Sequence, residues 1–194
     1  MSDTPQLLCF AGSARRQSFN KRLAHLAASR LEAHGADVTL IDLADYPMPL
    51  YDGDLEAEQG VPEPGQRLKA LFRDSDGFLI AAPEYNSSLA PLLKNTLDWI
   101  SRRETAEEPP LAAFRGKVAG LCATSPGGFG GLRGLVPLRM MLGNIGVHVL
   151  PQQLAVAHAR DAFDDQDSLA DEQHRQTLDA LCAELVRVSH QLRQ

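Results

Sequence analysis

The chain has 194 residues, 44% of them apolar and 23% charged, with a formal net charge of -6. That length predicts one globular domain over 1–194, able to bury a core without staples, and the acidic balance argues against binding along nucleic-acid phosphates, which a basic excess accompanies. No window approaches the ~18 uninterrupted apolar residues of a membrane span, the N-terminus lacks the basic region of a secretory leader, and Cys9, Cys122 and Cys182 stand far apart in apolar runs, as buried reduced thiols of a cytoplasmic protein do.

Leu7–Ala11 is a short apolar run ended by Gly12 and predicts the first strand. The helix after it takes Ser18 as N-cap, sets Leu23, Leu26, Ala27 and Leu31 on one face and stops at Gly35. Val38–Ile41 predicts the second strand. Residues 42–63 are polar and carry Pro47, Pro49, Gly53 and Gly60, the composition of a surface loop. Pro64 opens a short helix through Leu68, Leu71 and Phe72. Gly77–Ala82 is a continuous apolar run, as in a strand covered on both faces. Pro91 opens the next helix, with Leu93, Leu97 and Ile100 in line. Val118–Ala123 predicts the fourth strand, Leu132–Leu142 a helix whose start Pro137 obscures, and Val147–Leu150 the fifth strand. Residues 151–166 fit no pattern well. Ser168 and Asp171 have the spacing of a capping box for a last helix with Leu178, Leu181, Cys182, Leu185, Val188 and Leu192 on its apolar face.

Five strands alternating with helices imply a three-layer α/β sandwich with a parallel sheet. Ligands of such sheets sit outside the carboxyl ends of the strands, at the topological switch point. Three loops there carry chemistry. The first, Gly12–Asn20, runs from a strand into a helix N-terminus, where unpaired N–H groups and the helix dipole favour an anion. Ser13 and Ser18 offer hydroxyls, Asn20 an amide and Arg15 a planar cation. The alternative is a solvated N-cap with surface arginines. The loop lacks the glycines of a dinucleotide fingerprint and the Gly-Lys-Ser/Thr of a Walker A loop, so a monophosphate suits it better than a pyrophosphate. The second, Pro83–Pro91, carries Tyr85 and Asn86, which could meet a flat heterocycle or simply form a turn. The third, Thr124–Gly131, is glycine-rich and permits close backbone approach, or serves as a flexible connection. Ser125 stands one substitution from a nucleophile elbow, with Asp161 and His174 following in hydrolase order. Pro126, however, has no N–H to complete an oxyanion hole. The histidines have no metal-ligand spacing on a predicted helix, and no metal site is expected.

Taken together these residues resemble the NAD(P)H-dependent FMN reductase family. Gly12-Ser-Ala-Arg15 with Ser18 and Asn20 is similar to its G-S-x-R-x-x-S-x-N phosphate loop. Pro83–Asn86 matches its P-E-Y-N motif, and Leu92–Trp99 resembles its L-K-N-x-x-D-W stretch. Gly116–Val118 and the loop with Gly130, Gly131 and Arg133 fit its later segment. The resemblance spans residues 7–150. It implies a flavodoxin-like fold with strand order 2-1-3-4-5 and bound FMN. It places Ser13, Arg15, Ser18, Phe19 and Asn20 on the FMN phosphate, and Pro83, Glu84, Tyr85 and Asn86 along the ribityl chain and ring. Ser125, Gly127 and Gly128 would close the ring's far side. The implied activity takes hydride from NADPH or NADH and passes electrons to flavin, quinone or a similar small acceptor, with no side-chain acid or nucleophile required. The implied assembly is a homodimer or homotetramer. The alternative within the fold is a flavodoxin-type electron carrier that does not react with nicotinamides.

Overall fold

The structure is a computed structural model that describes residues 4–193. In chain order its elements are β1 (Gln6–Ala11), α1 (Phe19–Ala33), β2 (Asp37–Asp42), α2 (Gly53–Gln59), α3 (Glu63–Asp74), β3 (Gly77–Ala81), the two-residue strands β4 (Glu84–Tyr85) and β5 (Ser88–Leu89), α4 (Pro91–Ile100), β6 (Val118–Thr124), α5 (Leu132–Asn144), β7 (His148–Val156) and α6 (Glu172–Leu192). Five strands form one parallel sheet in the order β2-β1-β3-β6-β7. With the small β4-β5 hairpin set aside this is the flavodoxin-like order 2-1-3-4-5. The switch point lies between β1 and β3, because the chain leaves β1 to one side for β2 and returns to the other.

The apolar runs become central strands because helices cover both faces of the sheet, and β3 and β6 are buried at every position. On one face Leu7, Cys9, Leu79 and Cys122 pack against Leu23 and Leu31 of α1 and Leu181 and Leu185 of α6. On the other, Leu8, Phe10, Phe78 and Ile80 pack against Leu68 and Phe72 of α3, Leu93 and Leu97 of α4, and Leu135 and Leu138 of α5. The second layer is aromatic at its centre. The Phe72 ring lies 4.6 Å from Phe78, 5.4 Å from Phe10 and 5.8 Å from Phe114, centroid to centroid. Each such side chain contributes about 1.5–3 kcal/mol on burial. All three cysteines are buried free thiols in the first layer. Burial raises each thiol, Cys182 to about 12, so none is a nucleophile at neutral pH. No described helix is long and apolar enough to cross a membrane.

Four local expectations need correction. The loop expected over 42–63 contains a 3-10 turn at Leu43–Asp45 and the helix α2. Nothing in α2 is buried, so it has no apolar face to read, and Asp52 caps it through its side chain. The second switch-point loop is a hairpin, with Asn86 and Ser87 at φ 51° and 64° as a type I′ turn requires. The last sheet strand runs on to Val156 through Pro151, tolerated because β7 is an edge strand with a register shift against β6. Finally, Asp171 is itself the N-cap of α6, accepting from the His174 N–H at 2.8 Å, rather than the third residue after a Ser168 cap. Pro137 lies in the second turn of α5 without breaking it.

Candidate functional site

At the carboxyl end of the sheet, beside the switch point, lies a cavity of about 340 Å³. Its wall is made of Ser13, Arg15, Ser18, Phe19 and Asn20 from the loop after β1, Pro83, Glu84 and Tyr85 from the loop after β3, Thr124, Ser125 and Pro126 from the end of β6, and Arg160. The volume is within the roughly 300–1,000 Å³ of small-molecule sites. A larger concavity, about 500 Å³, opens where Thr4 and Pro5 lead into β1, and no loop after a strand reaches it.

The first wall follows from how α1 begins. Ser18 is the N-cap by backbone geometry (φ -74°, ψ 128°), yet its hydroxyl makes no cap hydrogen bond. No acidic residue stands in the first turn, so the helix dipole is uncompensated and the leading N–H groups face the cavity end. Ser13 Oγ accepts from the Arg15 N–H at 3.3 Å and shapes the turn. The Arg15 guanidinium stacks on the Phe19 ring, 5.5 Å from its centroid, and has no acidic partner among the described residues. Gly12 lets the loop pack closely: a Cβ there would meet Leu93 and Pro83 side-chain carbons at 3.1 Å, tighter than most such contacts.

Two expected ligand residues act as braces between the loops. Asn20 is buried, its Nδ2 donating to the Thr124 carbonyl at 2.9 Å and its Oδ1 accepting from the Thr124 N–H at 3.0 Å. The amide expected to face an anion is therefore engaged with the end of β6 and ties the first loop to the third. Thr124 Oγ1 donates to the Val156 carbonyl at 2.9 Å, extending the tie to β7. Glu84 serves α5. Its carboxylate accepts from the Arg133 N–H at 3.0 Å and the Gly134 N–H at 3.3 Å, and pairs with the Arg133 guanidinium at 2.6 Å. Because the N-cap of α5 is Gly131, with no side chain to cap it, this carboxylate from the second loop supplies the missing acceptor and opposes the dipole.

Tyr85 is half exposed at the hairpin. Asn86, Gly127 and Gly128, expected around the ligand, are not in the cavity wall. Asn86 is in the hairpin turn, and the Gly127 carbonyl accepts from His158 and Gly130. The hydrolase arrangement is not assembled: Ser125 Oγ has no histidine partner among the described residues, and His174 lies beside Asp171 at the start of α6. Sequence reasoning missed Thr124, Pro126 and Arg160 as wall residues. Thr124 was legible as the end of an apolar strand, but nothing in the sequence marks Arg160.

The sequence profile of the NADPH-dependent FMN reductases matches residues 5–161. The chain is 36% identical over 179 residues to an NAD(P)H-dependent FMN reductase of Pseudomonas aeruginosa, covering 92% of this chain and 91% of that protein. It is 37% identical over 142 residues to a quinone reductase of Escherichia coli strain K12, covering 73% of this chain and 71% of that protein. Among solved structures it is similar to FerB of Paracoccus denitrificans, a flavoenzyme NAD(P)H:(acceptor) oxidoreductase, with a TM-score of 0.78, 25% identity and coverage of 97% and 98% of the two chains.

Proposed function

The chain belongs to the NADPH-dependent FMN reductase family, and from that premise we propose how its pocket serves the reaction. The protein is an FMN-dependent oxidoreductase that draws electrons from NAD(P)H. For the acceptor we take quinones and free flavins, the class named for its relatives. Bound FMN supplies the hydride and electron chemistry. The chain supplies binding, orientation and electrostatics.

The residues present fit that group. The observation that carries the reading is the corner where α1 begins: a helix N-terminus with no side-chain cap, a buried Ser18 whose hydroxyl makes no cap hydrogen bond, and Arg15 without an acidic partner among the described residues, all on one cavity wall. A terminal phosphate dianion completes each of these, and hydrogen bonds with a charged partner contribute about 1.5–3 kcal/mol each. In this reading Ser13, Arg15 and Ser18 hold the phosphate, and Phe19 carries the Arg15 guanidinium. Asn20 and Glu84 hold the three loops in register. Pro83, Tyr85 and Ser125 border the ring, with Asn86, Gly127 and Gly128 behind them in the same loops. No side chain acts as acid or nucleophile.

The test is anaerobic mixing of the FMN-loaded chain with NADPH. The expected result is rapid loss of the yellow absorbance, restored on adding a benzoquinone. An unchanged spectrum would leave an electron carrier of this fold instead.

We further propose a homodimer or pair of dimers. Leu132, Val136 and Met140 recur every four residues on α5, are 42%, 64% and 64% exposed, and stand beside Phe129 at 62%. Such a stripe supports a face covered by a second copy. One five-stranded sheet shared by two apolar layers supports reading 1–194 as one domain. Three free thiols support a cytoplasmic setting.

A further inference from the structure

The turn after β7 brings one more cation to the cavity than the strand-end loops supply. Arg160 lines the same wall as Ser13, Arg15 and Ser18. Its backbone is fixed. The Ser125 N–H donates to the Val156 carbonyl at 3.2 Å, the Ala159 N–H to the Ser125 carbonyl at 3.0 Å, and the His158 N–H to the Gly127 carbonyl at 3.3 Å, with His158 held at φ 52°. Ala159 is fully buried beside it. The rest of the turn is pinned to α1, because Arg22 pairs with Asp167 and stacks on Phe163 at 4.4 Å. On this fixed base the Arg160 side chain is exposed and has no ion pair or hydrogen bond among the described residues.

The charge balance of the cavity makes that freedom informative. Its wall holds two guanidiniums, Arg15 and Arg160, and one carboxylate, Glu84. Glu84 is already neutralised by Arg133 and the first turn of α5. Two cations with no ion pair among the described residues, and a helix N-terminus with no side-chain cap, therefore line one small volume in a chain whose formal net charge is -6. Like charges facing one cavity repel until an anion lies between them, and a doubly charged phosphate matches two guanidiniums.

We propose that Arg160 is the second cation of the phosphate corner, reaching the 5′-phosphate of FMN from the β7 side and setting the pocket's selectivity for phosphorylated flavin. This rests on the FMN reading above. A preformed cation adds selectivity without ordering a loop.

The full chain is loaded with FMN or with riboflavin and diluted in steps, and the fluorescence of released flavin gives each Kd. Arg160→Ala is expected to raise the FMN Kd tenfold or more and the riboflavin Kd less than twofold. Arg160→Lys should recover part of the loss, with the unfolding midpoint unchanged in both variants. Equal losses for the two flavins, or none, would overturn the proposal. Unchanged FMN affinity with weakened NADP⁺ binding would also overturn it, since Arg160 would then serve the nicotinamide phosphates. A wild-type chain without preference for FMN would remove the pocket reading and this proposal with it, whereas a wild-type preference retained in Arg160→Ala would overturn the role of Arg160 alone.

Discussion

Asn20 and Arg15 stand five residues apart in one loop and do different work. Arg15 has no acidic partner among the described residues, so it is available to bind, and Arg15→Ala should weaken FMN far more than riboflavin because only FMN presents a dianion. Flavin titration checks this, and equal losses would remove Arg15 from the phosphate. Asn20 looks the same in sequence, a polar side chain at a helix start, but its amide closes two buried hydrogen bonds with Thr124. Asn20→Ala should therefore cost about 1–3 kcal/mol of stability in urea unfolding, because it orphans a buried N–H and a carbonyl. A loss confined to flavin affinity, with stability intact, would contradict the brace. The sequence marks both residues as belonging to the site and cannot separate the two roles, since the partner of Asn20 lies 104 positions away. Arg160 is illegible for a related reason: its place depends on backbone bonds between β7 and the Ser125 loop rather than on any local pattern.

The elements that sequence reasoning places well are those with a clear apolar pattern: the first four sheet strands, α1, α3, α4 and α6, whereas the fifth strand is legible only at its start. The elements it misses bury little. The helix α2 has no buried residue, and the β4-β5 hairpin is only two residues a side. The third loop is legible as glycine-rich, but only the structure shows what each glycine does. Gly131 takes φ 89°, and a Cβ there would lie 2.7 Å from the Ala123 Cβ. Gly131→Ala should lower stability by about 1–3 kcal/mol and loosen the start of α5, checked by thermal unfolding. Gly128 has nothing within 4 Å of such a Cβ, so Gly128→Ala serves as the neutral control. A second anchor lies outside the pocket wall. Lys69 of α3 is buried, donates to the Arg102 carbonyl at 2.5 Å and pairs with Glu108 at 2.6 Å, holding the segment between α4 and β6. Burial opposes ionisation of Glu108, but Lys69 and the Glu104 N–H outweigh it, and the folded carboxyl lies below its usual range. A carboxyl depressed on folding stabilises fully above its unfolded pKa, about 4.3. That stabilisation is lost as pH falls through the lower folded value. The stability gap between wild type and Glu108→Gln should therefore be widest near neutrality and close in acid, read as unfolding midpoints against pH. A gap that does not depend on pH would show that the ion pair is not the anchor.

At the scale of the whole molecule, two apolar layers hold a five-stranded sheet so firmly that its carboxyl end can carry three irregular loops. The first loop is tied to the third by Asn20, and the second to the first turn of α5, into which the third loop runs, by Glu84, so the cavity between them is set before any ligand arrives. Preorganisation of this kind lets binding free energy go to affinity rather than to ordering. Family membership assigns the chemistry to FMN, and the fold assigns the chain the task of gripping it. The most direct measurement is a crystal structure grown with excess FMN. The expected density places the phosphate at the start of α1, within hydrogen-bond reach of Ser13, Ser18 and Arg15. Flavin bound elsewhere, or that corner filled by protein side chains while the enzyme turns over NADPH, would contradict the account.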